Sequence, residues 1–203
     1  MENARRLCRI LLLGLLFSLM AIGGLHAEPL GELVGDSLVS RLEHVETEPV
    51  LQMGGRRIVL RNDLLRFYSG NGYDPVWIAD RGVKDETEEL VEVLRAASEQ
   101  GLCPEDYHLV YIEELLQLNA EARRYELLLH VRHLADLEML LTDAFLRYTD
   151  HMTAGRVAPD AVMAGWHTRP RRVDAVRLLR YVLATDRLSV VLGDMMPPHR
   201  GFH

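Results

Sequence analysis

The 203-residue sequence has only two cysteines, Cys8 and Cys103. Cys8 lies ahead of an apolar N-terminal run and is expected to be lost with it. Cys103 then has no partner in its own chain, which excludes an internal disulfide and leaves stability to packing. Aromatic residues are scarce, at 6%. Positive charge is also in deficit: 23 Lys and Arg face 30 Asp and Glu, a net charge of −7 that argues against polyanions, nucleic acid included, as partners. No repeat, low-complexity tract or Gly/Ser-rich linker interrupts the chain. Only one stretch is continuously apolar, Ile10 to Ile22, and it is too short for a secure membrane span.

What surrounds that stretch gives it a meaning. Arg5, Arg6 and Arg9 precede it, and Gly23, Gly24 and Ala27 follow, the layout of a secretory signal peptide cut after Ala27. Two outcomes stay open: cleavage, which is the expectation, or retention as an uncleaved anchor, the single route to a membrane. Residues 1–27 carry three Arg and one Glu, so their removal takes the net charge from −7 to −9. The chain is expected to be exported and periplasmic. Residues 28–49 read as a linker or loosely structured segment with a weak helical rhythm in Leu30, Leu33, Leu38, Val39 and Leu42. A domain is expected over 50–203, beginning with a turn over Gln52–Arg56 and a helix from Asp63 to Ser69 capped by Asn62.

Periodicity gives the rest as mainly α, a compact multi-helix domain around one long central helix. Gly70-Asn71-Gly72 demands a turn, and Pro75 biases Tyr73–Ile78 towards extended backbone with Trp77 as a core anchor. Asp85 is the expected cap of a helix whose Leu90, Val93, Leu94 and Ala97 share one face, and Gly101 its stop. A short helix around Ile112–Leu116 precedes the longest segment, Glu121 to Thr153, which no Gly or Pro interrupts and which is apolar on nearly all sides between Leu137 and Leu146. Further helices are expected over Val173–Ala184 and Arg187–Leu192, the second capped by Asp186. Phe67, Trp77, Leu94, Leu140 and Leu179 are expected to share one core.

Two stretches carry a resemblance. The order Phe67-Tyr68, Tyr73, Pro75, Trp77, an amphipathic helix, then Gly101-Leu102, Pro104 and Tyr107 resembles the helical scaffold domain of large YcbB-like L,D-transpeptidases. Leu141-Thr142-Asp143-Ala144 with Arg147, Tyr148, Gly155 and Pro159 is similar to a second signature of the same scaffold. In those enzymes the chemistry resides in a separate YkuD-type domain, with a cysteine in a His-Gly-Cys box. No such box occurs here, so the resemblance implies a non-catalytic domain connected with peptidoglycan cross-linking and cell-wall remodelling. Its implied partner is a cell-wall enzyme or peptidoglycan itself. The final Met195-Met196-Pro197-Pro198 is the kind of exit after which further domains normally follow, so a truncated or a stand-alone relative is expected. The competing class is a periplasmic helical interaction module with no wall role.

Several constellations invite chemistry and each has a plainer reading. Cys103, with only His108 close in sequence, reads as an inert thiol. His130, His133 and Asp136 sit at three-residue steps, each of which turns the helix face by about 60°, so the side chains fan out instead of converging on a metal. Glu88-Glu89 and Glu113-Glu114 are adjacent pairs that cannot face one glycosidic bond and read as solubility features. Arg169, Arg171, Arg172, Arg177 and Arg180 form the one basic cluster, read as a solvated face. Asp143, inside an apolar helix, must find donors, with Arg147 one turn on as the candidate. No residue is assigned a catalytic, cofactor or metal role.

Overall fold

A computed structural model describes residues 29–47, 50–53, 56–59, 62–121, 127–154 and 173–195. The stretch expected to be a signal (1–27), the stop expected at Gly155 with Pro159 and Pro170 beyond it, and residues 196–203 lie outside them. In chain order the elements are α1 (Leu30–Thr47), β1 (Val50–Met53), β2 (Arg56–Val59), α2 (Asp63–Ser69), β3 (Ile78–Ala79), β4 (Gly82–Val83), α3 (Glu86–Arg95), α4 (Leu109–Glu121), α5 (Leu127–Ala154), α6 (Ala175–Thr185) and α7 (Leu188–Asp194). Two short 3₁₀ turns, Ala96–Gln100 and Pro104–Tyr107, join α3 to α4. The chain is mainly α, and its few strands form two separate antiparallel pairs, β1–β2 and β3–β4. None of the described helices is long and apolar enough to cross a membrane.

Helix α5 is the axis. Its 28 residues extend about 42 Å at 1.5 Å per residue, and every residue from Leu134 to Leu146 is buried. A helix without a wet face must be surrounded. Helices α1, α2, α3, α4 and α6 and the Pro104–Tyr107 turn all pack on it, while α7 packs on α3 and α6. Phe67, Trp77, Leu94, Leu140 and Leu179, one from each of five regions, are all fully buried in one cluster.

Several boundaries differ from the sequence expectation, each for a local reason. The segment read as a linker holds α1, an 18-residue helix. Its Val34, Leu38 and Leu42 recur every four residues and are buried in the core, and Pro29 supplies a compatible start. The turn over Gln52–Arg56 is narrower, because Gln52 pairs with Arg57 and Met53 with Arg56. The short helix before the axis is longer than Ile112–Leu116: it runs from Leu109 to Glu121, and 122–126 are not described.

Caps were the weakest part of the reading. Asn62 and Asp85 precede helices without capping them through their side chains. Asp186 adopts a left-handed conformation at the C-terminal end of α6 and does not open α7, whose N-cap is Arg187. The working N-cap is Asp174, whose carboxylate accepts from Val176 N and Arg177 N. The helix expected to stop at Gly101 ends as α at Arg95; Gly101 closes the 3₁₀ turn Ala96–Gln100 that follows it, with φ +73° and its N–H on Ala97 O and Ser98 O.

Candidate functional site

The two signature stretches meet on one helix. Glu138 of α5 is fully buried and takes backbone donors from the stretch after Pro75: Val76 N at 2.7 Å on Oε1, and Trp77 N at 2.9 Å and Ile78 N at 3.1 Å on Oε2. The Tyr68 hydroxyl donates to the same Oε1 at 2.9 Å. One turn further, Thr142 Oγ1 accepts from the Trp77 indole at 2.9 Å and shares a 2.8 Å hydrogen bond with Tyr68. The stretch expected to be extended is bent: Tyr73 has φ +63° and the chain bends at Val76-Trp77, which brings consecutive N–H groups without helical partners to one point, and Glu138 satisfies three of them at once. Lys84 completes the hold by donating to Val76 O at 2.8 Å.

The third piece of the first signature reaches the same axis lower down. The Tyr107 ring lies edge-on to Tyr148 with centroids 5.5 Å apart, and its hydroxyl bonds His151 Nδ1 at 2.9 Å. Beside it His108 bonds Asp143 Oδ2 through Nε2 at 2.7 Å, and Arg147 Nε donates to the same oxygen. The i,i+4 pairing expected of Asp143 and Arg147 is therefore present, joined by a histidine that sequence distance hid. Asp143 is buried, which by itself raises a carboxyl's pKa; the His108 hydrogen bond and the Arg147 charge outweigh this and hold it below the usual range.

The other two buried carboxylates behave oppositely. Burial pushes Glu138 up to about 7, against the pull of the Val76 and Trp77 amides and the Tyr68 hydroxyl. Burial also lifts Asp136 to about 6 although Arg41 faces it, with Nη2 donating to Oδ2 at 3.0 Å and Nη1 2.9 Å from Oδ1. Carboxyls raised in the fold stabilise it fully below their unfolded values, 4.5 and 3.8, and that contribution is lost as pH rises through about 7 and 6. His133, lowered chiefly by burial, opposes them as pH falls below 6.5. We expect unfolding free energy to rise by on the order of 2–3 kcal/mol between pH 8 and pH 5. Urea titrations at the two values check this, and a midpoint that is flat or higher at pH 8 refutes it.

The remaining candidates are placed as follows. Cys103 donates its thiol to Glu105 Oε2 at 2.8 Å, and that bond to a carboxylate raises the thiol pKa, the reverse of an activated nucleophile. Asp136 is turned to Arg41, and no group of three or more His, Cys, Asp or Glu suited to a metal occurs among the described residues. Glu88 and Glu113 both bind Arg95, tying α3 to α4, and Glu89 accepts from Ser189 N in the first turn of α7. Of the basic cluster, Arg169, Arg171 and Arg172 are outside the described residues. Arg177 is exposed, whereas Arg180 lies over the Phe67 ring and donates to Arg66 O and Phe67 O at the end of α2. Gly70 makes room for it, since a Cβ there would sit 2.1 Å from the Arg180 Nη2. The cluster is therefore partly structural.

One cleft opens beside the junction, with a volume of about 610 Å³, between the start of α1 and the Gly72–Lys84 segment. Gly35, Val39, Tyr73, Pro75 and Ile78 line it, with Glu32, Asp36 and Asp74 among its carboxylates. Asp80, also lining it, is engaged with Gly31 N at 3.1 Å. Nothing in the sequence pointed to this cleft, because one wall belongs to the segment read as a linker.

Comparison with known proteins agrees with this architecture. No curated protein and no solved structure matches the chain. The family model described as Scaffold domain matches residues 62–203, a span that contains both signatures and every contact between them, as the resemblance to the L,D-transpeptidase scaffold implies. The chain belongs to the Scaffold domain family.

Proposed function

We infer that this is a non-catalytic domain that holds or positions a cell-wall enzyme, in the process of peptidoglycan cross-linking and wall remodelling, and that it works in the periplasm after export by its N-terminal signal. The observation that supports this most is the junction itself. Tyr68, Trp77 and Tyr107 from one signature are bonded to, or packed edge-on against, Glu138, Thr142 and Tyr148 of α5, so the residues that carry the family resemblance serve to build a rigid frame. A frame whose polar groups are spent on one another is suited to presenting surfaces, not to turning over a substrate.

The test uses the purified chain with two targets, isolated wall sacculi and an L,D-transpeptidase YkuD-type domain supplied in trans. Saturable co-sedimentation or binding with either target is expected, and it should be lost in a variant unfolded at the junction. Binding to neither, with a folded chain, overturns the wall role and favours a periplasmic helical interaction module. Exchange of stem peptides by the chain alone would overturn the non-catalytic reading.

A further inference from the structure

The cleft wall and the α5 carboxylate are one mechanical unit. Val76 is held from both sides, its N–H by Glu138 Oε1 and its C=O by Lys84 Nζ, and its neighbours Tyr73, Asp74, Pro75 and Ile78 form the wall. Glu138 takes part in none of the ion pairs among the described residues, although it is fully buried. Its negative charge is balanced by N–H and O–H dipoles on its two oxygens and, at longer range, by the Lys84 charge. The groups facing it are Tyr68 from α2 and, across the Val76 peptide, Lys84. Asp80 of the β3–β4 turn is engaged with Gly31. On α5, Asp136 and Asp143 are seven residues apart on one stripe, and Glu138 is turned roughly 140–160° from it.

We propose that Glu138 is a proton-operated latch on the cleft wall: uptake of one proton by its carboxylate releases the Val76 N–H and loosens the Tyr73–Val76 wall while α5 and its core stay intact. The hydrogen-bond inventory gives the reason. An ionised carboxylate only accepts, and Glu138 uses that capacity on four donors. A proton on Oε1 makes that oxygen a donor. Tyr68 can take it, because its own hydroxyl proton can turn to Thr142 Oγ1 at 2.8 Å. The Val76 amide has no such alternative and must share an oxygen that already carries a proton. Val76 is only half-buried, so water can replace the lost acceptor, whereas Trp77 N and Ile78 N keep Oε2. The position of the Glu138 pKa, near neutrality, puts the change within reach of ordinary shifts in pH. The latch is independent of any wall role.

Amide hydrogen exchange on the isotopically labelled chain tests it, corrected for intrinsic exchange at each pH, with the Glu138 side-chain carboxyl carbon followed in parallel. Loss of one backbone hydrogen bond predicts that protection at Val76 falls by about tenfold between pH 8 and pH 5, while amides in the middle of α5 do not change. The midpoint should coincide with that of the Glu138 carboxyl. Glu138→Gln, which mimics the neutral acid, should show the low protection at both pH values. If that variant does not fold, the wild-type titration decides alone. Glu138 titrating with no change at Val76, or not titrating between pH 5 and pH 8, overturns the latch, as does equal loss of protection across α5.

Discussion

Trp77→Ala should lower the unfolding free energy by about 3–5 kcal/mol, the range for deleting a large buried aromatic. The indole is fully buried, and the backbone on both sides of it is fixed, with the flanking amides held on Glu138. Three losses add up: the transfer free energy of the ring, the cavity it leaves, and the Nε1 hydrogen bond to Thr142. Trp77→Phe separates them, since it keeps most of the apolar volume and loses the donor. It should cost about 1–2 kcal/mol, leaving Thr142 with Tyr68 as its remaining partner. Denaturant midpoints at unchanged m-value read both variants. A loss below about 1 kcal/mol for the alanine variant would mean that the segment is held by its backbone bonds and that the ring contributes little.

That ring was legible in the sequence, and the reason is physical. A stretch read as extended, ending in Val-Trp-Ile, between a Gly-rich turn and an amphipathic helix, has few ways to bury its bulk. The uninterrupted apolar stretch of α5 was equally plain, because a helix apolar on all sides has to be central. The misses are of a different kind. Asn62, Asp85 and Asp186 have the right side chains to cap, but whether an oxygen reaches an N–H is set by backbone angles that sequence does not state. The α1 segment reads as a linker because its core-facing Val34, Leu38 and Leu42 are separated by Gly35, Asp36, Ser37, Ser40 and Arg41, which dilute the stripe. Missing α1 meant missing the cleft and the Arg41–Asp136 pair.

Glu138 escaped notice for a related reason. In sequence it sits among leucines as one more carboxylate in a helix, and its three backbone donors lie about sixty residues away. Asp143 stands out as a carboxylate inside an apolar helix stretch, yet the same holds of Glu138. A carboxylate at a position that periodicity buries on every side has to be paired with a donor. The useful signal was the predicted burial of the position. Asked of every polar residue between Leu134 and Leu146, it singles out Asp136, Glu138, Thr142 and Asp143, the four that tie the surrounding elements to the axis.

Asp143→Ala should be the second severe lesion, at about 3–5 kcal/mol, because removing one member of a buried charged group leaves the others uncompensated. His108 and Arg147 both hydrogen-bond Asp143 Oδ2. His108 is itself buried and strained into a left-handed conformation, φ +60°, at the end of the Pro104–Tyr107 turn. Without the carboxylate nothing opposes that strain, and the start of α4 should loosen with it. Asp143→Asn keeps the shape and one acceptor and should cost less, and His108→Leu with Asp143→Leu should recover part of the loss by removing the polar groups together. The pH dependence identifies the cause. A carboxyl held below its ordinary value of 3.8 stabilises the fold above that value and stops doing so as pH falls through its folded pKa. The gap between wild type and Asp143→Ala should therefore be widest near pH 6 and narrow towards pH 3. A gap of under about 1 kcal/mol at pH 6, or one that stays constant down to pH 3, would mean that the side chain matters for its packing and that its charge does not hold the 104–109 turn to α5.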